Sequence, residues 1–207
     1  MNTPNKLTLS RIFLIPFFVL FLHVHQMVSE LRTVAIVHWI ALLIFIVAAI
    51  TDWLDGMIAR KHNIVTNFGK LFDPLADKLL TMAAFVAFVE LQGPNGKPIF
   101  PAWAIIVILA REFLVTGLRS LGLSYGRVIQ ADRWGKQKTI IQIVSIGLIL
   151  LSICTRDTAA MLHGNTPLLD AWMPTFYRVL LAITVGITAA SGFVFLAKNW
   201  AIVSDRD

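Results

Sequence analysis

The feature that most constrains the fold is a series of six long apolar runs. They lie at about 10–25, 33–55, 71–91, 101–123, 139–155 and 176–197. A helix needs roughly 20 apolar residues to cross a bilayer, and the runs approach that length. With 57% hydrophobic and 14% charged residues, the chain does not resemble a water-soluble domain. We therefore predict an all-α, polytopic membrane protein, a six-transmembrane-helix bundle forming a single domain over residues 1–207.

Lysine and arginine residues fall unevenly on the two sides of this predicted bundle. If the spans alternate in direction, twelve of the 18 basic residues lie at one set of helix ends and four at the other. Loops that remain in the cytoplasm keep such residues. We therefore expect both termini and the stretch Thr51–Lys78 to face the cytoplasm. The opposite loops, at 91–101 and 155–174, are rich in Gly, Pro and Asn and are expected to be short external turns.

Four of the twelve acidic residues are concentrated directly after the second apolar run. Asp52 and Asp55 are three residues apart, and Asp73 and Asp77 are four apart, so each pair shares a face if the segments are helical. Two antiparallel helices would bring the pairs together, and four carboxylates stay ionised at such range only with cations between them. Hard divalent cations such as Mg²⁺ take carboxylate oxygens, and two can clamp an in-line phosphoryl displacement. The pattern predicts phosphoryl transfer at a membrane surface.

A simpler explanation is that these acids only stabilise helix ends and pair with nearby lysine and arginine residues. It suits Asp73 and Asp77, which come at the start of the third predicted helix, where anions are favoured. It explains Asp52 and Asp55 poorly, because the carboxyl-terminal half of a helix disfavours anions. The small residue Gly56 also follows Asp52 by about one turn and leaves room for a ligand near the backbone.

The same stretch resembles a known family. The pattern D-x2-D-G-x2-A-R-x8-G-x3-D-x3-D of the CDP-alcohol phosphotransferases is matched at eight fixed positions, namely Asp52, Asp55, Gly56, Ala59, Arg60, Gly69, Asp73 and Asp77. The resemblance covers nearly the whole chain and implies a six-helix enzyme, with a homodimer as its expected assembly. Such an enzyme transfers a phosphatidyl group from CDP-diacylglycerol to an alcohol and releases CMP. The resemblance also implies two divalent cations, Mg²⁺ or Mn²⁺, held by the four aspartates, with Asp77 as general base on the acceptor hydroxyl.

The resemblance further implies which residues contact CDP-diacylglycerol. The segment "PNKLTLSR" is similar to the opening of bacterial members, which also implies a place in the bacterial cytoplasmic (inner) membrane. A helix cap with an interfacial arginine explains that segment equally well. The residues expected to bind CDP-diacylglycerol are Asn5, Thr8, Gly56, Ala59, Arg60 and Gly69.

Two further stretches bear on the acceptor. "AREFLVTGLRSLG" places Arg111, Glu112 and Arg119 in an otherwise apolar span, where an ionisable residue indicates a functional site. The two arginines are two helical turns apart, about 12 Å along the axis, and Glu112 is expected to fix a neighbouring basic side chain. "GKQKT" places Lys136 and Lys138 at the start of the fifth helix, a favourable position for phosphate. The retention of basic residues at a cytoplasmic boundary explains these two lysines equally well.

Taken together, the arginines and lysines predict an anion site separate from the aspartates, and so an acceptor that carries a phosphate. Both stretches resemble those of the branch of the family whose acceptor is sn-glycerol 3-phosphate. Inositol phosphate and phosphatidylglycerol remain alternative acceptors, because they also bear phosphate.

Two other protein classes also place carboxylates in membranes. A membrane prenyltransferase would be expected to have two separate aspartate-rich motifs, whereas Asp132, Asp157 and Asp170 are isolated. An ion-conducting protein would be expected to have acids deep in several helices, and only Glu90 and Glu112 are candidates outside the aspartate stretch. Neither class is expected to release CMP from CDP-diacylglycerol.

Overall fold

The computed structural model of the protein describes residues 3–62, 67–125, 129 and 133–200. Within these ranges, the side chains of residues 3–9, 11, 52–62, 67–77 and 133–134 are outside the description. The described chain is helical and has no strand, and an isolated bridge joins Gln92 to Pro98. The helices are α1 (Thr3–Leu22), α2 (Leu31–His62), α3 (Asn67–Glu90), α4 (Ala102–Ser124), α5 (Arg133–His163) and α6 (Pro167–Lys198), with a 3₁₀ turn at Val24–Gln26.

Side-chain contacts fix the relative directions of the helices. His38 near the start of α2 contacts Asp157 near the end of α5, whereas Lys138 near the start of α5 contacts Glu112 of α4. His23, just after α1, contacts Glu90 at the end of α3. Contacts along α6 run in reverse order against α5 and in the same order against α4. Odd-numbered helices therefore run one way and even-numbered helices the other. We call the two ends of the bundle the Lys138 end and the His38 end.

Three of the described helical segments are long and apolar enough to cross a membrane: Leu31–Thr51, Gly135–His163 and Pro167–Lys198. A shorter apolar segment lies at Ile12–Gln26. In α4, Arg111, Glu112 and Arg119 interrupt the apolar sequence. Large apolar side chains such as Phe113 and Phe193 are 65% and 74% exposed, which suits contact with lipid rather than water. The chain is a multi-pass membrane protein.

The helix pairs are held by an aromatic core and by a row of polar contacts. Five buried phenylalanines connect α1, α2, α3 and the turn before α4, namely Phe18, Phe45, Phe85, Phe88 and Phe100. Between α5 and α6, Thr184 donates to Ser145 Oγ at 2.9 Å and Gln142 donates to Thr188 Oγ1 at 3.2 Å. Hydrogen bonds of this kind help to fix neighbouring helices in an apolar surrounding. They determine which face of α6 meets the rest of the bundle.

The prediction of a turn over residues 155–174 is wrong. α5 continues to His163 and α6 begins at Pro167, so the connection is only about three residues long. Gly164 adopts φ +74°, and its N–H donates to the carbonyl of Ala160, which ends α5. Arg156 donates to Asp170 at 2.7 Å and joins the two helices beyond their apolar parts. The end of an apolar run marks where contact with lipid ends, whereas the helical hydrogen bonds of the backbone continue into the polar sequence.

The turn predicted at 91–101 is present. The N–H of Gly93 donates to the carbonyl of Lys97 at 2.8 Å, and Gly96 has φ +69°, which favours glycine. α3 and α4 are therefore joined by a compact loop at the His38 end.

Candidate functional site

The aspartates predicted to bind metal lie on helices with the expected spacing. α2 continues past Thr51 and carries Asp52 and Asp55, and α3 carries Asp73 and Asp77. The prediction that each pair of aspartates lies on a helix is therefore confirmed, and residues three or four apart on a helix lie on the same face. The side chains of all four lie outside the described residues, so their meeting at one site stays a prediction.

The predicted CDP-diacylglycerol contacts have the same status. Asn5 and Thr8 lie on α1, Gly56, Ala59 and Arg60 lie on α2, and Gly69 lies on α3. Their side chains also fall outside the described part of the structure. The helix assignments place these residues near the start of α1, the end of α2 and the start of α3.

A cluster of ionisable side chains lies between α3, α4 and α5 toward the Lys138 end. We call it the basic cluster, and its members are Lys78, Arg111, Glu112, Arg119 and Lys138. Glu112 Oε1 accepts a hydrogen bond from Lys138 Nζ and also lies 3.4 Å from an Arg111 guanidinium nitrogen. The side chains of Glu112, Lys138 and Arg111 are only 8%, 5% and 10% exposed. The prediction that Glu112 fixes a basic neighbour is confirmed.

Lys78 connects α3 to this cluster. Its Nζ donates to the hydroxyl of Thr116, and that hydroxyl donates to the backbone carbonyl of Glu112 at 2.8 Å. The like charge of Lys78 also acts on Lys138 across the space between the helices. Lys78 directly follows Asp77 in the chain, so α3 brings the last of the four aspartates within one residue of the basic cluster.

Arg111 and Arg119 lie close enough for their charges to repel each other. The guanidinium of Arg119 is 5.6 Å from the centre of the Phe195 ring on α6. In both arginines the Nε atom is buried and has no hydrogen-bond partner among the described residues. A buried donor without a partner is costly, so these atoms are favourable sites for an oxygen ligand.

The structure separates the two lysines of the "GKQKT" stretch. Both lie in the first turns of α5, as predicted, but Lys138 is buried against Glu112 whereas Lys136 is exposed. Residues two apart on a helix do not face the same side. Only Lys138 therefore belongs to the basic cluster.

A second polar cluster, which the sequence pattern did not indicate, lies at the His38 end. We call it the histidine cluster, and its members are His23, His25, His38, Glu90 and Asp157. His38 Nδ1 lies 2.5 Å from Asp157 Oδ2, while His38 Nε2 lies 3.2 Å from the Leu22 carbonyl. His38 therefore joins α5 to the end of α1 through its two ring nitrogens. Local spacing gave no signal, since His38 and Asp157 are 119 residues apart.

The basic cluster has the chemistry of an anion site. Four cations accompany a single carboxylate among its described side chains, and two arginine donors are unpaired. Arginine and lysine donors bind phosphate through charge-assisted hydrogen bonds. The fold and site therefore define a multi-pass helical membrane protein with a buried cluster of cationic side chains beside a helix that carries aspartates.

The family model for CDP-alcohol phosphatidyltransferase matches residues 1–190, and the chain belongs to this family. A relative from Bacillus subtilis (strain 168) is 39% identical over 203 residues, covering 96% of this chain and 95% of the relative. One from Haemophilus influenzae is 38% identical over 151 residues, covering 72% and 75%. One from Pseudomonas fluorescens is 33% identical over 203 residues, covering 97% and 91%. All three carry the name CDP-diacylglycerol–glycerol-3-phosphate 3-phosphatidyltransferase.

Proposed function

We propose that this protein transfers the phosphatidyl group of CDP-diacylglycerol to sn-glycerol 3-phosphate, giving phosphatidylglycerophosphate and CMP. Two of the relatives named above match nearly the full length of the chain, and both carry that activity in their names. The observation that carries the choice of acceptor is the basic cluster, where positive charge exceeds negative charge among the described side chains and two buried arginine Nε atoms have no partner among them. An acceptor that carries a phosphate would supply oxygen atoms to those donors.

In this proposal the acceptor's phosphate is held by Arg111, Arg119 and Lys138. Lys136 is exposed on the opposite side of the same helical turn, so it attracts the acceptor from solvent rather than touching it in the cluster. Glu112 keeps Lys138 and Arg111 in place and offsets part of their mutual repulsion. It leaves enough positive charge for a doubly charged phosphate.

Asp52, Asp55, Asp73 and Asp77 are proposed to hold two divalent cations, Mg²⁺ or Mn²⁺. The donor set fits such ions, because it offers carboxylate oxygens from one turn of α2 and one turn of α3. When bound, the cations neutralise the diphosphate of CDP-diacylglycerol and stabilise the leaving CMP. Asn5, Thr8, Gly56, Ala59, Arg60 and Gly69 are proposed to contact the nucleotide and lipid headgroup.

Asp77 is proposed as the general base. It would take the proton from the 1-hydroxyl of glycerol 3-phosphate as that oxygen attacks the β-phosphorus of CDP-diacylglycerol. Its position immediately before Lys78 supports this role, because the basic cluster would hold the other end of the same small acceptor. The base and the phosphate-binding side chains would then act on the two ends of one molecule.

We further propose that six helices span the bacterial cytoplasmic membrane, with the Lys138 end and both termini at the cytoplasm. The start of α1 and the end of α6 lie at the Lys138 end, where most lysines and arginines occur. Soluble glycerol 3-phosphate would then reach the basic cluster from the cytoplasm. A homodimer remains a prediction from the family resemblance.

A panel of acceptors tests the proposal. The protein, purified in detergent, is given CDP-diacylglycerol, Mg²⁺ or Mn²⁺ and one acceptor at a time, and CMP release is measured. We expect release with glycerol 3-phosphate and background release with serine or inositol. Faster release with inositol phosphate or phosphatidylglycerol would reassign the acceptor, and no release with any acceptor would contradict the proposed reaction.

A further inference from the structure

The face of α6 that meets the basic cluster carries a glycine and a phenylalanine three residues apart, Gly192 and Phe195. We propose that these are positioning residues that set the orientation of the two arginines predicted to hold the acceptor's phosphate. The inference rests on the proposed function, because it assigns α6 a role at that same site. Residues three apart on a helix share a face, so one surface of α6 contacts both arginines.

Gly192 lies against the stem of Arg111. A Cβ added at Gly192 would lie 2.8 Å from Arg111 Cγ, 3.8 Å from its Cβ and 4.0 Å from its Cδ. The closest atom is near the base of the side chain, so rotation of the guanidinium alone would not remove the overlap. Any side chain larger than glycine would have to turn Arg111 away or push α6 from α4. Glycine is therefore what allows Arg111 its observed orientation.

The other end of Arg111 lies near α5. A Cβ added at Gly135 would be 3.9 Å from an Arg111 guanidinium nitrogen, which is an ordinary contact distance. The Arg111 side chain thus extends from its stem, which lies against α6, to its guanidinium beside α5, where Glu112 also contacts it. A shift of the stem would move the guanidinium relative to Lys138, with which it shares Glu112.

Phe195 acts on the second arginine. Its ring is 5.6 Å from the Arg119 guanidinium carbon, within the range of a cation–π contact, and its side chain is 3% exposed. The ring holds the guanidinium by its face, so the N–H donors at the edge are left for other partners. The Nε atoms of Arg119 and Arg111 both lack a described partner.

The position of α6 is fixed from its other side. Buried hydrogen bonds join Thr184 to Ser145 and Thr188 to Gln142 on α5. Because these bonds hold α6 just before Gly192, the helix has little freedom to retreat from Arg111. A side chain introduced at residue 192 should therefore displace the arginine.

The primary test compares Gly192→Ala with Gly186→Ala. Both make the same change on the same helix, but a Cβ at Gly186 meets nothing within 4 Å. We expect Gly192→Ala to raise the apparent KM for glycerol 3-phosphate by about 5- to 20-fold, a partial loss of charge-assisted phosphate contacts. The KM for CDP-diacylglycerol should stay within about 2-fold, because the displaced group contacts only the acceptor. Gly186→Ala should match the unmodified protein.

The double variant Arg111→Ala/Gly192→Ala separates positioning from general damage. With Arg111 truncated, the added methyl group has space, so Gly192→Ala should have no further effect on the acceptor KM. An equal effect on both backgrounds would overturn the inference. So would a Gly192→Ala protein with an unchanged acceptor KM, or with a fall in kcat and both KM values rising together.

The same measurements distinguish this inference from the proposed function. If Arg111→Ala alone leaves the acceptor KM unchanged, the assignment of the acceptor site fails. If Arg111→Ala raises that KM and Gly192→Ala does not, only the role of α6 fails.

A second pair of variants tests Phe195 and applies even if Gly192→Ala does not fold. Phe195→Leu should raise the acceptor KM by about 2- to 5-fold through loss of the cation–π contact. Phe193→Leu makes the same change at a side chain that is 74% exposed, and it should have no effect on that KM. Equal KM values in the two variants would remove Phe195 from the inference.

Discussion

The basic cluster and the histidine cluster are both groups of polar side chains inside an apolar bundle, but their charges are balanced differently. In the histidine cluster, Asp157 and Glu90 each contact one imidazole, and a ring nitrogen of His25 lies 3.1 Å from the Leu22 carbonyl. In the basic cluster, one carboxylate accompanies four cations, and two arginine Nε atoms have no described partner. The histidine cluster has two described carboxylates beside its three imidazoles, although His23 Nε2, which lies 3.2 Å from Glu90 Oε2, makes no hydrogen bond among the described residues. The basic cluster has an excess of positive charge among its described side chains, which an anion from outside would offset.

The contrast shows how to separate structural from functional ionisable groups in a membrane protein. Burial alone does not distinguish the two clusters, since His38 is 4% exposed and Lys138 also 4%. The distinguishing feature is the charge balance among the described side chains, because a buried excess of positive charge costs free energy that an anionic ligand can recover. Changes in the basic cluster should therefore affect substrate use, and changes in the histidine cluster should affect stability.

The largest effect is expected where the aspartates adjoin the basic cluster. Asp77→Asn keeps the shape of the side chain and one coordinating oxygen but removes the base, so kcat should fall by about 10²–10⁴. CDP-diacylglycerol and metal affinity should stay within several-fold of the original. The fall should persist at saturating metal and acceptor in a CMP-release assay. Recovery of most of the rate at high metal would make Asp77 a metal ligand only.

Within the basic cluster, Arg111→Ala or Arg119→Ala should raise the apparent KM for glycerol 3-phosphate. Loss of one charge-assisted phosphate contact costs about 1.5–3 kcal/mol, which corresponds to a rise of roughly 10- to 100-fold. Binding of CDP-diacylglycerol should be unchanged, and steady-state kinetics with each substrate varied in turn would measure both. An unchanged acceptor KM in both variants would remove the predicted anion site.

Within the histidine cluster, His38→Ala should lower the free energy of unfolding by about 1–3 kcal/mol, because Asp157 and the Leu22 carbonyl lose their partner. The KM for either substrate should not change. Thermal unfolding in detergent, with the exposed His163→Ala as matched control, would measure the difference. A changed acceptor KM with normal stability would contradict the contrast between the clusters.

The smallest effect is expected at Lys136, the exposed neighbour of Lys138. Lys136→Ala should change the acceptor KM by no more than about 2- to 3-fold at moderate salt, because an exposed charge is screened by solvent and ions. The change should shrink as ionic strength rises, whereas the effect of Lys138→Ala should persist. If both lysines gave the same large effect, the anion site would extend beyond the buried cluster.

The sequence alone determined the helical class, the approximate positions of α1 to α6 and the residues that deserve attention. Apolar length and periodicity are local properties, so they predicted helices through Asp52 and Asp55 and through Arg111 and Arg119. The spacing of the aspartates and the ionisable residues in α4 also indicated the family and a phosphate-bearing acceptor. Local patterns did not predict where α5 ends or where α6 begins, because both helices continue beyond the apolar sequence.

Only the tertiary structure decided which of these residues meet. It placed Lys138 against Glu112 and left Lys136 exposed, and it joined His38 to Asp157 across 119 residues. It also brought Gly192 and Phe195 of α6 against the two arginines of α4. Such contacts depend on how each helix is rotated and tilted against its neighbours. That choice comes from the packing of all six helices together, so no single segment of the sequence encodes it.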